Sequence, residues 1–217
     1  MSSPPEPRIA GLVLAAGASL RLGRPKQLLP YGDGVLLDAV LGTARASGFN
    51  QIVLALGGAE HEVRQRVDTR GCDVVGTPAF GAGCSSSIAA AIPALHPDTD
   101  VLVLLLGDQP GVGPATVHRL LDGRLLAGRG AAHLAVCRYD DGVGHPFAFD
   151  RSVLPDLAVL HGDKAVWKLL EQRAADVVEV VVPGPIPPDI DTEADYQRAL
   201  AALGQAPLGH APWGQAP

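Results

Sequence analysis

Three cations, Arg21, Arg24 and Lys26, fall within six residues of one another, just after an apolar run that ends in Ala15-Ala16-Gly17. Gly17 and its small neighbours Ala16 and Ala18 let backbone N–H groups approach an oxyanion closely. No acidic residue lies between Arg8 and Gly32. Free amides and convergent cations together suit a triphosphate, whose several charges must be neutralised at once. The other reading of this loop is a solvated basic turn. The loop lacks GxxxxGK spacing and GxGxxG spacing, so neither a Walker A loop nor a Rossmann dinucleotide site is supported.

Two acidic segments supply the opposite charge. Gly107-Asp108-Gln109-Pro110 follows Val101–Leu106 (VLVLLL), a run without a polar side chain. Asp108 therefore leaves an apolar strand directly into solvent or a crevice. It is either a turn residue before Pro110 or a ligand for Mg²⁺, a hard cation that prefers carboxylate oxygen, water and phosphate. A single carboxylate holds Mg²⁺ weakly, so a second is expected. Asp191, in Asp189-Ile190-Asp191-Thr192, is the best candidate, with helix N-terminal stabilisation as the alternative.

Smaller polar clusters remain. Gly81-Ala82-Gly83-Cys84-Ser85-Ser86-Ser87 is a small-residue loop entering a helix, suited to a base, a ribose or a phosphate, or simply to an N-cap. His145-Pro146 follows Gly142 and Gly144, and Gly162-Asp163-Lys164 precedes an amphipathic stretch. No Ser/His/Asp or Cys/His signature for nucleophilic catalysis stands out.

The elements that must position these residues alternate. Strands are expected at Ile9–Ala15, Gln51–Leu56, Cys72–Val75, Val101–Leu106, Leu134–Arg138 and Val177–Val182, with a short one at Pro146–Phe149. Helices are expected at Val35–Ala46, Ala59–Val67, Ser86–Leu95, Pro114–Ala127, Arg151–Leu160, Asp163–Ala174 and from Thr192 to about Leu203. Thr192, with Asp195 three residues on, reads as a capping box. This alternation predicts a single-domain α/β fold: a doubly wound, mostly parallel sheet with helices on both faces and right-handed crossovers. The ligand then sits beyond the carboxyl ends of the strands, and VLVLLL should run centrally. Residues 8–203 form one domain. Residues 1–7 read as a disordered leader, and 204–217, with Gly-Gln-Ala-Pro twice, as a flexible tail.

Composition limits the partners. The chain has 217 residues, 47% hydrophobic and 18% charged, with a net charge of −6 and 4% aromatics. That argues against nucleic acid, which needs cationic surface and stacking platforms. No apolar run reaches the roughly 18 residues of a membrane span, so no membrane partner is expected. Three cysteines without CxxC spacing read as small buried hydrophobes and suit a reducing cytoplasm.

Taken together, LAAGAS-x-RLG-RPKQLLP (14–30), GAGCSSS (81–87), GDQP (107–110), GHP-x-x-F (144–149), HGDK (161–164) and DIDT-x-x-D (189–195) resemble the molybdenum cofactor cytidylyltransferases, within the broader MobA-like NTP transferases. The resemblance implies a nucleotide-diphospho-sugar transferase-like fold and Mg²⁺-dependent joining of an NTP to a phosphorylated small molecule, with a molybdopterin acceptor and a molybdoenzyme partner. It assigns Leu14, Ala15, Ala16, Gly17, Ser19, Gly83, Ser85 and Ser86 to nucleotide binding. Arg21, Lys26 and Asp108 become catalytic, the two cations gripping the triphosphate. Asp108 and Asp191 become metal ligands, and His145, Asp163 and Lys164 acceptor contacts. Guanylyl relatives usually carry Gly where Ala16 stands, which favours CTP. Two departures stand out: Leu22 replaces the usual Met, and Ala165 and Trp167 stand where Gly-x-Arg often follows HGDK. A sugar- or polyol-phosphate nucleotidyltransferase, a cofactor-carrying insertion chaperone and an oxidoreductase remain competing readings.

Overall fold

Strand β1 (Ile9–Ala15) shows the logic of the fold. Its side chains alternate between two apolar layers, Val13 and Ala15 in one and Ala10 and Leu12 in the other. Such a strand must be covered on both faces. In a computed structural model describing residues 6–77, 83–126, 132–162 and 164–205, it is. The other strands are β2 (Pro30–Tyr31), β3 (Gly34–Val35), β4 (Gln51–Leu56), β5 (Asp73–Gly76), β6 (Val101–Leu106), β7 (Leu134–Tyr139), β8 (Gly142–Asp150) and β9 (Val177–Val181). Seven of them form one sheet in the order β5-β4-β1-β6-β8-β7-β9, and β2 pairs with β3 as a separate ribbon. Among the seven, only β8 runs antiparallel to its neighbours.

Strand β6 takes the middle place, as its wholly apolar sequence predicts. Val101, Val103 and Leu105 face one layer, and Leu102 and Leu104 the other. Burying each such side chain contributes about 1.5–3 kcal/mol, so no other register of this strand competes. Helices α1 (Leu36–Ala46), α2 (Glu60–Arg66) and α4 (Pro114–Leu126) cover the first face through Leu37, Val40, Val63, Val117 and Leu120. Helices α3 (Cys84–Ala91), α5 (Leu154–Ala158) and α6 (Ala165–Gln172) cover the second through Ile88, Leu157, Val166 and Leu169. The last helix, α7 (Glu193–Ala202), packs Tyr196 and Leu200 on Leu29, Leu36 and Ile190.

Strand β8 differs from the short Pro146–Phe149 strand expected. It runs nine residues from Gly142 to Asp150 and closes a tight hairpin with β7 through Asp140-Asp141. Along β7, Val136 pairs with Phe147 and the next residue, Cys137, with Gly144. His145 and Pro146 are thus left out of the ladder in a bulge, the place where a residue without an N–H is tolerated. The short polar-and-glycine start of this strand hid it from pattern reading.

Of the three cysteines, Cys137 is buried, with its thiol pushed up to about 12 by burial, while Cys72 and Cys84 are half-buried rather than fully inside. Among the described residues no helix is long and apolar enough to cross a membrane. Of the leader expected at 1–7 and the tail expected at 204–217, residues 1–5 and 206–217 lie outside the described residues.

Candidate functional site

The chain leaves β1 at Ala15 and β6 at Leu106 side by side, and Gly107 N–H donates to Leu14 O at 2.8 Å, extending the pairing by one step. A Cβ on Gly107 would stand 2.8 Å from Ala15 Cβ and 2.9 Å from Leu14 O. Only glycine allows this approach, and it places the next residue, Asp108, against the loop after β1. Gly107→Ala is expected to cost about 1–3 kcal/mol through overpacking and to pull Asp108 out of place. Denaturant midpoints and turnover measured on the same preparation check both effects.

The loop after β1 is held by its own polar atoms. Gln27, 3% exposed, donates through Nε2 to Ala15 O at 2.7 Å and to Gly17 O at 3.2 Å. Ser19 takes φ +54°, and its hydroxyl accepts from Lys26 N–H at 3.0 Å. Ser19 therefore shapes the loop in this state. Pro25 leads into a single 3-10 turn over Lys26–Leu28, which buries most of the Lys26 stem and turns its ammonium back along Gly17. Gln27 escaped the motif reading because its side chain serves the loop rather than a ligand.

Asp191 reaches the same spot by a longer route. Strand β9 lies at the far edge of the sheet, yet residues 182–192 run back across the strand ends toward β6. Ile190 N–H donates to Asp108 O at 3.0 Å, and Gln109 Nε2 to Pro187 O at 3.0 Å, so this strap is bound to the GDQP turn. The capping box then fixes its end: Thr192 Oγ1 accepts from Asp195 N–H at 3.2 Å and Asp195 Oδ2 accepts from Thr192 N–H at 2.8 Å.

Lys26, 9% exposed, sits between the two acids. Its Nζ donates to Asp108 Oδ2 and, at 2.8 Å, to Asp191 Oδ1. Arg21 Nη2 donates to Asp191 Oδ2 at 2.6 Å, and Arg24 pairs with Glu193 at 2.8 Å. Burial opposes the charge on Lys26, but the two carboxylates outweigh it and hold its pKa above the ordinary value. Burial likewise opposes ionisation of Asp191, and Lys26 and Arg21 outweigh it to hold Asp191 below the usual carboxylate range. Asp189 behaves differently. Desolvation of its carboxyl, followed by repulsion from Asp108 and Asp191, raises it to about 6, although the residue as a whole is exposed.

Two cavities meet at this edge. The first, 340 Å³, is lined by Leu14, Ala15, Ala16, Gly17, Lys26 and Asp108, with Gly83, Cys84 and Ser87 from the start of α3. Of the serines at the start of α3, Ser87 lines the cavity; Ser85 and Ser87 are both 3% exposed, and Ser86 Oγ donates to Gly83 O at 2.8 Å. The second, also 340 Å³, shares Leu14, Cys84 and Leu106 with the first and continues to His145, Trp167, Gln109 and Asp189. The β8 bulge brings His145 here, where burial lowers its pKa to about 4, and its ring stacks on Phe147 at 4.0 Å. Lys164, at the head of α6, is exposed and does not line the cavity; Asp163 lies outside the described residues. Motif reading missed Gln109, Asp189 and Trp167 as cavity walls. A larger hollow of 530 Å³ opens at the opposite end of the sheet, but its polar side chains Arg124 and Asp150 are paired with each other.

The acids suit a divalent cation. Asp108 and Asp191 bring two carboxylates to one point, both in contact with the single Lys26 ammonium. Among the described residues no three Asp, Glu, His or Cys side chains enclose a metal position. A hard divalent cation takes carboxylate, water and phosphate oxygens, so one or two carboxylates can serve it.

Comparison with known proteins bears on the family and the fold. The model of the MobA-like NTP transferase domain matches residues 11–177. Nicotine blue oxidoreductase of Paenarthrobacter nicotinovorans is 32% identical over 176 residues, covering 77% of this chain and 83% of that protein. Molybdenum cofactor cytidylyltransferase of Escherichia coli K12 is 30% identical over 100 residues, 46% of this chain and 50% of that one. Rv0371c of Mycobacterium tuberculosis H37Rv is 49% identical, with 90% and 98% coverage and a TM-score of 0.82. The same protein in complex with manganese gives 47% identity, coverage of 90% and 99%, and 0.79. The sheet is that of the nucleotide-diphospho-sugar transferase-like fold. With the domain match spanning most of the chain and both charge clusters at one sheet edge, the protein belongs to the MobA-like NTP transferase family and is a nucleotidyltransferase.

Proposed function

We propose that the enzyme joins an NTP, with CTP favoured, to a phosphorylated small molecule of the molybdopterin class, releases pyrophosphate, and requires Mg²⁺ or Mn²⁺. The observation that carries the proposal is the Lys26 ammonium held between Asp108 and Asp191 on the wall of the first cavity. A cation and two carboxylates at one sheet edge are what a metal-bound triphosphate needs on its two sides. The manganese complex of Rv0371c supports a divalent metal, and Ala16, in place of a smaller Gly, supports a pyrimidine base. A molybdoenzyme is the recipient that this acceptor implies.

In this reading a phosphate monoester of the acceptor attacks the α-phosphorus in line, and pyrophosphate leaves. The nucleophile's second pKa is near 6, so it arrives ionised and needs no general base. Lys26 and Arg21 leave their carboxylates to take phosphate oxygens, offsetting the repulsion between two polyanions. Asp108 and Asp191 would hold a divalent metal, which would supply positive charge to neutralise the phosphates. Gln27 keeps the loop amides aimed at the phosphates, since catalysis here rests on positioning and electrostatics.

The test is pyrophosphate release measured with each of CTP, GTP, ATP and UTP, with and without Mg²⁺, against molybdopterin, a sugar phosphate and a polyol phosphate. CTP with molybdopterin should give the highest turnover. Equal turnover with a sugar phosphate overturns the acceptor assignment. The 32% identity to an oxidoreductase over 77% of the chain motivates a second reading, a nicotinamide- or flavin-dependent oxidoreductase. NAD(P)H oxidation by the purified protein, without pyrophosphate formation, would select it.

A further inference from the structure

The second cavity has walls unlike those of a sugar site. Leu104, Val143, Val166 and Ile186 are aliphatic, no Lys or Arg among the described residues lines it, and His145 is uncharged near neutral pH. Hydroxyls of a sugar or polyol would exchange water for hydrocarbon here, which is unfavourable without partners. Among its polar groups the Asp189 carboxylate is an acceptor, the Gln109 amide N–H₂ donates to Pro187 O, and the rings of His145 and Trp167 each carry an N–H. An occupant that meets Asp189 must bring donors of its own.

Trp167 stands at the rim. It meets Phe147 edge-on at 5.2 Å and 90°, and His145 at 6.2 Å and 86°. Phe147 is fully buried, but Trp167 remains 37% exposed, a large aromatic surface at the mouth of an apolar cavity. Because the cavity shares Leu14, Cys84 and Leu106 with the nucleotide cavity, anything bound beneath Trp167 abuts the nucleotide.

We propose that Trp167 is a specificity-determining residue. It gives an apolar face to a planar nitrogen heterocycle on the acceptor, whose ring-edge N–H donors meet Asp189. The acceptor's phosphate is placed by the transferase reading above, on which this assignment rests; the ring is placed by the cavity walls alone.

The chain has two tryptophans, Trp167 and Trp213, so Trp213→Phe leaves Trp167 as the sole tryptophan reporter. Pterin (2-amino-4-oxopteridine) should quench its emission saturably, and glucose 1-phosphate should not. By calorimetry, Trp167→Ala should weaken pterin binding about tenfold, in the range of ring–aromatic stacking. Trp167→Phe should restore most of it, and Mg·CTP affinity should stay at the wild-type value in both. Pterin binding unchanged in Trp167→Ala, or quenching by glucose 1-phosphate in place of pterin, overturns the assignment. Trp167-dependent pterin binding without pyrophosphate release from any NTP supports the cavity assignment and sinks the transferase reading instead.

Discussion

Asp108→Ala is expected to lower metal-dependent pyrophosphate release by about 10²–10³-fold or more, the usual cost of removing one charge-stabilising contact, while melting near the wild-type temperature. The two halves follow from different bonds. The Asp108 carboxylate contacts Lys26 and is the proposed metal ligand, so its removal should strike the reaction. The fold depends instead on its backbone, where Asp108 O accepts from Ile190 N–H at 3.0 Å. Lys26 keeps its second partner, Asp191, at 2.8 Å, so no buried cation is stranded. Phosphatase-coupled turnover with Mg²⁺ and with Mn²⁺, beside a thermal melt, measures both. A variant with wild-type turnover would remove Asp108 from the metal site.

Lys26→Met should have an effect as large on kcat/KM, again about 10²–10³-fold, with a second signature of opposite sign. In the ligand-free protein Lys26 occupies the carboxylates that a metal would use. Taking the ammonium away leaves Asp108 and Asp191 repelling each other, so the variant should melt lower in chelator. A divalent cation should then bind more tightly without nucleotide, by roughly 5–150-fold, the common range for coupling between two ligands, and should restore the melting temperature by mass action. Titration with Mn²⁺ followed by calorimetry reads this directly. Unchanged kcat/KM would show that Lys26 does not touch the reacting phosphates, and unchanged Mn²⁺ affinity would show that it does not compete for the acids.

How much of this was legible in the residues depends on whether a signal was local. Val101–Leu106 announced a central strand because no partially exposed place accommodates six consecutive large apolar residues, and Asp108 followed from where that strand ends. Thr192 and Asp195 announced a helix start because the capping box is a contact between residues three apart. Strand β8 was only half legible. Its pairing depends on β6 and β7, and its Gly142-Val143-Gly144 start has no β pattern of its own. The position of Asp191 beside Lys26 was suggested by chemistry and not by spacing, since 165 residues separate them and the strap that joins them is irregular. Trp167 drew notice only as a departure from a motif; that it walls a cavity with His145 depends on α6 packing against a bulge.

The strap over residues 182–192 also sets a length. It is anchored at one end where β9 pairs with β7, and along its course by the Pro187 and Ile190 contacts to the GDQP turn. An extended chain advances about 3.3–3.6 Å per residue, which exceeds the 2.8 Å reach between Asp191 and Lys26. Shortening or lengthening this span by one residue would therefore put the wrong side chain opposite the ammonium. The outermost strand, far from any substrate, thus acts as the fixed end of a ruler, and fraying of that border would disarm the enzyme without touching its chemistry.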